Sequence, residues 1–325
     1  MIVLTSEDIA ALLPMTHAIE IIGTAMKTVS SGGAELPLRN VIPVGGNNRM
    51  GVMPGALSDP ACFGVKLVSL FPDNPARGLS SHLGAFILFD AETGQATAMM
   101  DASLLTAIRT AAASGVATRA LAPQDAQTLA IIGYGEQAEH HLEAICTVRD
   151  IRHVRVAGRD GTEAQTFCNA VQNRHPKLNF SAGNDVRAAV ENANIVCTVT
   201  SSPTPVLHHA WLAEGSHVNV VGSSIPSMRE VDDDLVLNTS IWVDYLPSAL
   251  AQAGEIVDMI TAGRIQADTL KGEIGQLLNG DIVGRTSPGE QTVYRSLGVA
   301  AQDLAAAQAV LTAAIKKGKG QKVRL

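Results

Sequence analysis

Residues 128–145, TLAIIGYGEQAEHHLEAI, decide the fold. Five apolar residues suited to a buried strand run into Gly133-Tyr134-Gly135-Glu136-Gln137-Ala138, and a helix-forming stretch follows. A strand, a glycine turn of the form G-x-G-x-x-A and a helix make a cradle for a dinucleotide pyrophosphate. In that reading Gly133 permits the turn, Gly135 lets backbone approach the phosphates, and Ala138 lets helix pack on strand. The pyrophosphate sits at the helix N-terminus, where free N–H groups and the helix dipole favour an anion.

Working outward, the next apolar strand, HVRVAG (153–158), ends on Gly158-Arg159-Asp160. An acidic residue at that end accepts hydrogen bonds from the cofactor's ribose and repels a 2′-phosphate. Here Gly158 stands in that place and Arg159 offers a phosphate partner, which favours NADP, while Asp160 is close enough to leave NAD open. Further short apolar runs, IVCTVT (195–200), HVNVVG (217–222) and IWVDY (241–245), alternate with helix-like segments. That alternation predicts an α/β fold with a Rossmann-type, doubly wound parallel sheet over 121–295.

More than a hundred residues precede this unit. TSEDIAALLPMTHAIEIIGTAMKTVSSGG opens with a capping pattern at Thr5 or Ser6 and then shows helical periodicity. CFGVKLVSLF and HLGAFILFDAETGQATAMMD read as strands with a hairpin through DAETGQ, and ASLLTAIRTAAASGVATRAL as an alanine-rich helix. Residues 1–120 are therefore expected to be an α+β domain with its own sheet, onto which a closing helix in 296–325 packs back. The tail KKGKGQKVRL is expected to be a frayed end.

Composition narrows the function. A net charge of −7 and 3% aromatic residues argue against a nucleic-acid binder, which needs a basic face or stacking platforms. Cys62, Cys146, Cys168 and Cys197 are scattered without a C-x-x-C pair and read as buried thiols of a reducing compartment. The adjacent pairs His140-His141 and His208-His209 do not aim two rings at one ion, so no metal is expected. With neither a signal-peptide pattern nor an apolar run of membrane-spanning length, a cytoplasmic protein without membrane contact is expected.

Eleven segments in order carry a resemblance: LPLRN (36–40), MPGAL (53–57), GVKLVS (64–69), SSHLGAFILFD (80–90), TAIRTAAAS (106–114), IIGYGEQAE (131–139), CTVTSS (197–202), HVNVVGSS (217–224), MREVDDDLV (228–236), EIGQLLNG (273–280) and YRSLGVAAQD (294–303). Over nearly its whole length the chain resembles the ornithine cyclodeaminase/mu-crystallin family. The resemblance implies a dinucleotide domain joined to a domain that binds substrate and builds a homodimer. It implies that Arg39, Lys66 and Arg109 grip an amino-acid carboxylate, a task for which an arginine fork and a compact ammonium are suited. Lys66 inside an apolar strand and Arg109 inside an alanine-rich helix are unusual places for cations, which supports that assignment.

The resemblance also implies that Ser81 and His82 lie beside the nicotinamide, His82 as a proton donor or as a hydrogen-bonding partner of the cofactor. Thr198, Thr200 and Ser296 match further cofactor contacts, and Arg109, Thr110, Gly222 and Ser224 complete the expected set. In VVGSSIPSMRE, Ser224 stands where cyclodeaminases carry the aspartate assigned to proton transfer on ornithine. Serine without a partner is no base at neutral pH. The ketimine-reductase branch also has serine there, so the resemblance implies NAD(P)H-dependent reduction of a small 2-imino acid. Implied substrates are cyclic ketimines, or acyclic imines such as iminosuccinate. An amino-acid dehydrogenase, a cyclodeaminase, or a non-catalytic ligand-binding protein are the alternatives.

Overall fold

The computed structural model describes residues 1–324. The chain divides into two compact units, residues 1–110 with those from 299 onward, and residues 111–298. In chain order the first contains β1 (Ile2–Leu4), α1 (Ser6–Leu12), α2 (Met15–Ser30), β2 (Ala34–Glu35), β3 (Asn40–Gly45), β4 (Asn48–Ser58), β5 (Ala61–Leu70), β6 (His82–Asp90) and β7 (Ala96–Asp101). Helix α3 (Ala102–Leu121) follows, and the division falls inside it.

The second unit holds β8 (Thr128–Ile132), α4 (Glu136–Val148), β9 (His153–Ala157), α5 (Gly161–Gln172), β10 (Asn179–Gly183), α6 (Val186–Val190), β11 (Ile195–Thr198) and β12 (His217–Val220). It continues with α7 (Asp233–Asn238), β13 (Ser240–Val243), α8 (Leu246–Gln252), α9 (Gly254–Thr261), β14 (Gly272–Glu273), α10 (Ile274–Asn279) and β15 (Thr292–Arg295). The chain then returns to the first unit with α11 (Ala300–Lys317) and β16 (Gln321–Lys322).

The second unit's sheet runs β10-β9-β8-β11-β12-β15-β13-β14, with every pair parallel. Its strands are apolar on both faces for a visible reason. Leu129 and Ile131 join a cluster with Val154, Val156 and Leu142, whereas Ala130 and Ile132 join one with Val196, Val218 and Val220. Alternate residues thus feed two cores, one on each face of the sheet, as a doubly wound sheet requires. The strand order reverses direction between β8 and β11, and ligand crevices in such sheets open at the carboxyl ends of the strands flanking that point.

The first unit's mixed sheet runs β16-β1-β7-β6-β5-β4-β2, with β3 also paired to β4. The hairpin through DAETGQ joins β6 to β7. Thr5 caps α1 in a capping box with Asp8, and the break at Leu13-Pro14 starts α2 because proline cannot continue a helix from within. Helix α11 lies on β4, β5 and β6. It comes close because Gly55 and Gly64 pair across β4 and β5: a Cβ on Gly55 would meet Ala300 at 2.8 Å, and one on Gly64 would meet Leu304 at 3.2 Å. The tail is not frayed. Gly318, in the left-handed region at φ 62°, ends α11 and lets residues 321–322 pair antiparallel with Ile2 and Val3. No single helix among the described residues is long and apolar enough to cross a membrane.

Candidate active site

In the first unit, Lys66 lies in the middle of β5, opposite Met53 on β4 and Phe86 on β6. Alternation along β5 places it on the same inward face as Cys62 and Gly64. Arg109 comes from α3, and both cations are buried, at 3% and 4% exposure. Buried charges persist only when paired. Their partner is Asp303 in the first turn of α11, itself fully buried. Its Oδ2 is 2.9 Å from Lys66 Nζ, and its Oδ1 accepts from Arg109 Nε at 2.9 Å. Arg109 Nη1 donates to Gln302 Oε1 at 2.7 Å, and Lys66 Nζ donates to Thr106 Oγ1 at 3.4 Å.

The electrostatics follow from this packing. Burial, then the Arg109 charge, lower the Lys66 pKa to about 7; Asp303 opposes the fall and Arg39 adds to it. Burial alone would raise the Asp303 pKa, but Arg109 and Lys66 together hold it below the ordinary carboxylate range. His82, at the start of β6, is exposed, and its pKa is lowered by desolvation and then by the Lys66 charge. Its Nδ1 is 2.9 Å from Ser81 Oγ. Arg39 is half-buried and Thr110 is buried. Arg39, Lys66, Ser81, His82, Arg109 and Thr110 thus all stand in the first unit.

In the second unit the glycine turn has the shape a dinucleotide needs. Gly133, at φ 110°, takes a backbone that other residues avoid, and a Cβ there would meet the Val199 carbonyl oxygen at 2.9 Å. Gly135 is the N-cap of α4 without a side-chain cap, and a Cβ built on it would meet nothing within 4 Å. The backbone is therefore open where a pyrophosphate belongs, and these residues fit the cofactor. Glu136 is exposed, Gln137 half-buried, and Ala138 fully buried against the sheet. The Tyr134 ring lies on Gly158, where a Cβ would meet it at 2.4 Å, and its hydroxyl accepts from Asp160 N at 3.2 Å. The Asp160 carboxylate is engaged as the N-cap of α5. Arg159 is exposed.

Thr198, Thr200 and Gly222 meet at a residue that sequence reasoning missed. The buried Glu230 carboxylate accepts from Thr198 Oγ1 (3.0 Å), Thr200 N and Oγ1 (2.7 Å each) and Gly222 N (2.6 Å). It ties together the carboxyl ends of β11 and β12. Burial raises its pKa, against the hydrogen bonds from Thr200. The Thr198 hydroxyl, expected beside the cofactor, is fully buried and bonded to Glu230. Ser296 is buried as well, its N–H bonded to Val220 O. Beside Ser224, Ser223 Oγ accepts from the buried Arg295, which is paired with Glu255. Ser224 itself is half-buried and, among the described residues, has no hydrogen-bonded carboxylate or imidazole.

Three of the four paired histidines have hydrogen-bonded protein partners, whereas Nδ1 of His140 is buried without one among the described residues. His141 bonds Ser114 and the Gln137 carbonyl, His208 bonds Asp232, and His209 bonds Gln291. Among the described residues no group of three or more His, Cys, Asp or Glu is placed to hold a metal ion.

The sequence pattern of the ornithine cyclodeaminase/mu-crystallin family matches residues 1–318. A Δ1-pyrroline-2-carboxylate reductase of Bacillus cereus is 34% identical over 99% of both chains. The structure of the Thermococcus litoralis Δ1-pyrroline-2-carboxylate reductase in complex with NADH and L-proline superposes with a TM-score of 0.96 at 33% identity, covering 99% of this chain and 100% of that one. An archaeal alanine dehydrogenase dimer with bound NAD gives a TM-score of 0.93 at 30% identity, covering 100% of this chain and 99% of that one. These likenesses agree with the α/β class and the doubly wound sheet expected from the glycine turn.

Proposed function

Because the chain belongs to the ornithine cyclodeaminase/mu-crystallin family, we propose that it is an NAD(P)H-dependent reductase of a small 2-imino acid. A cyclic ketimine such as Δ1-pyrroline-2-carboxylate is the first substrate to test. The observation that carries this proposal is the buried cluster of Lys66, Asp303 and Arg109 in a chain with Ser224 where cyclodeamination needs a carboxylate. Arg109 and Arg39 bind the substrate carboxylate and orient the imine, and Ser81 and His82 support the nicotinamide side. The bound nicotinamide supplies a hydride to the imine carbon. Lys66, with a pKa near 7, gives a proton from Nζ to the imine nitrogen, which takes up the C=N π pair as the carbon becomes tetrahedral. Water then reprotonates Lys66.

For the cofactor we propose NADPH over NADH. Asp160 is occupied by the α5 N-terminus, and Arg159 is exposed beside Gly158 for a 2′-phosphate. The function test is cofactor oxidation with cyclic and acyclic imino acids, each with NADPH and with NADH. One cofactor oxidised per amino acid formed, with higher kcat/KM for NADPH, is expected. Cofactor oxidation that requires a 2-oxo acid with free ammonia would instead favour an amino-acid dehydrogenase. Higher kcat/KM with NADH removes the NADPH preference alone.

The same proposal includes a homodimer. Phe63 stacks on Phe89, and Phe63 and Leu83 are exposed on β5 and β6, as are Ile42 and Val44 on the edge strand β3. Apolar sheet surface of this kind is normally covered, and the alanine dehydrogenase relative is a dimer. Sedimentation should give a particle of two chains; a monomer at micromolar concentration would contradict it.

A further inference from the structure

The carboxylate clamp contains an anion of its own. We propose that Asp303 is its positioning residue: its two carboxylate oxygens hold the Lys66 ammonium and the Arg109 guanidinium side by side, the first as proton donor and the second with its free edge for the substrate carboxylate. This step presupposes the imine-reductase reading above.

An aspartate in the first turn of a helix ordinarily faces solvent and complements the helix dipole. Asp303 is instead fully buried, because the Gly55–Gly64 pair lets α11 settle on β4 and β5 and brings the carboxylate down to Lys66. Each oxygen serves a different cation. With Nε on Asp303 and Nη1 on Gln302, the plane of the Arg109 guanidinium is set, and Nη2 has no partner among the described residues. Gln302 is braced in turn by its Nε2 on Met26 Sδ.

The charge count gives the carboxylate its second task. Around Lys66 stand Arg109 on α3, Arg39 ahead of β3, His82 on β6 and Asp303 on α11. Burial first, and then the two arginines, drive the proton off the ammonium, and Asp303 holds it on. Without Asp303, Lys66 would be neutral at working pH and could not protonate an imine. The aspartate's negative charge and the lysine's positive one would be lost together, so the net charge of the cluster, and with it the choice between substrates with one and with two carboxylates, should hardly change.

The test compares wild type with Asp303→Asn, using Δ1-pyrroline-2-carboxylate and iminosuccinate formed from oxaloacetate and ammonia. NADPH fluorescence titration serves as the check of folding. In Asp303→Asn, kcat for the cyclic substrate should fall at least tenfold, roughly the worth of one charge-assisted hydrogen bond. The alkaline limb of its pH profile should move down by about one unit or more, since the group opposing deprotonation is gone. The ratio of rates with the two substrates should stay within about threefold, since the net charge of the cluster is unchanged. A variant that merely loosens the fold leaves the limb where it was, and that result overturns the proposal.

If Asp303→Asn fails to bind NADPH, Asp303→Glu takes its place. It keeps the charge but displaces the oxygens, so kcat should fall at least about tenfold with the limb within about half a unit of wild type. Unchanged kcat in that variant overturns the proposal. Wild-type protein that reduces no imino acid would remove the imine-reductase reading itself, a failure distinguishable from this one.

Discussion

Arg109→Ala is expected to lower kcat/KM for the imino acid by at least about a hundredfold, the consequence of removing one partner from a buried charge cluster that also binds substrate. Two losses combine. The substrate carboxylate loses its guanidinium, and Gln302 and one oxygen of Asp303 lose their donor. Arg109→Lys should restore little, since a point-like ammonium cannot meet Asp303 and Gln302 together and still present a free edge. Cofactor affinity should change less than this, because the glycine turn at Gly133 and Gly135 is untouched. Steady-state kinetics with NADPH titration check this, and unchanged substrate kinetics would take Arg109 out of the clamp.

The second large effect lies at Glu230. Glu230→Ala strands the Thr198 and Thr200 hydroxyls and the N–H groups of Thr200 and Gly222. A buried donor left without an acceptor costs about 1–3 kcal/mol, so a total of several kcal/mol is expected even if water repairs part of the loss. For a unit of this size that corresponds to a drop in Tm of roughly 10 °C. Cofactor affinity should fall with it, because the carboxyl ends of β11 and β12 frame the crevice at the point where strand order reverses. Glu230→Gln keeps one acceptor oxygen and should lose about half as much. A Tm for the alanine variant within about 2 °C of wild type would show that Glu230 does not hold these ends together.

Both effects bear on how much of the protein can be read from its sequence. The parallel sheet is legible because strands buried on both faces read as apolar runs, and TLAII feeds both cores. The edge strand NFSAG and the two-residue β14 carry no such run and escape notice. The tail escapes for another reason: its strand exists only by pairing with β1, and a basic, glycine-broken segment gives no local sign of that. Lys66 and Arg109 stand out because cations are costly inside apolar elements.

Asp303 and Glu230 do not stand out. In sequence Asp303 looks like an ordinary first-turn acid. Glu230 is one of four acids in MREVDDDLV, of which Asp232 caps α7 and Asp233 pairs with the half-buried Arg229 and the exposed Arg264. Only the packing of glycines beneath α11 and the convergence of β11 and β12 separate the buried carboxylates from the solvated ones.

The proposed imine reduction is tested most directly by following the hydride. NADPH deuterated at the transferable C4 position, incubated with Δ1-pyrroline-2-carboxylate, should yield proline carrying one deuterium at Cα, one cofactor being oxidised per proline formed. In parallel, ornithine with catalytic NAD should release neither proline nor ammonia, because Ser224 supplies no base. Proline without deuterium, or turnover of ornithine at a comparable rate with the cofactor unconsumed, would contradict the reductase.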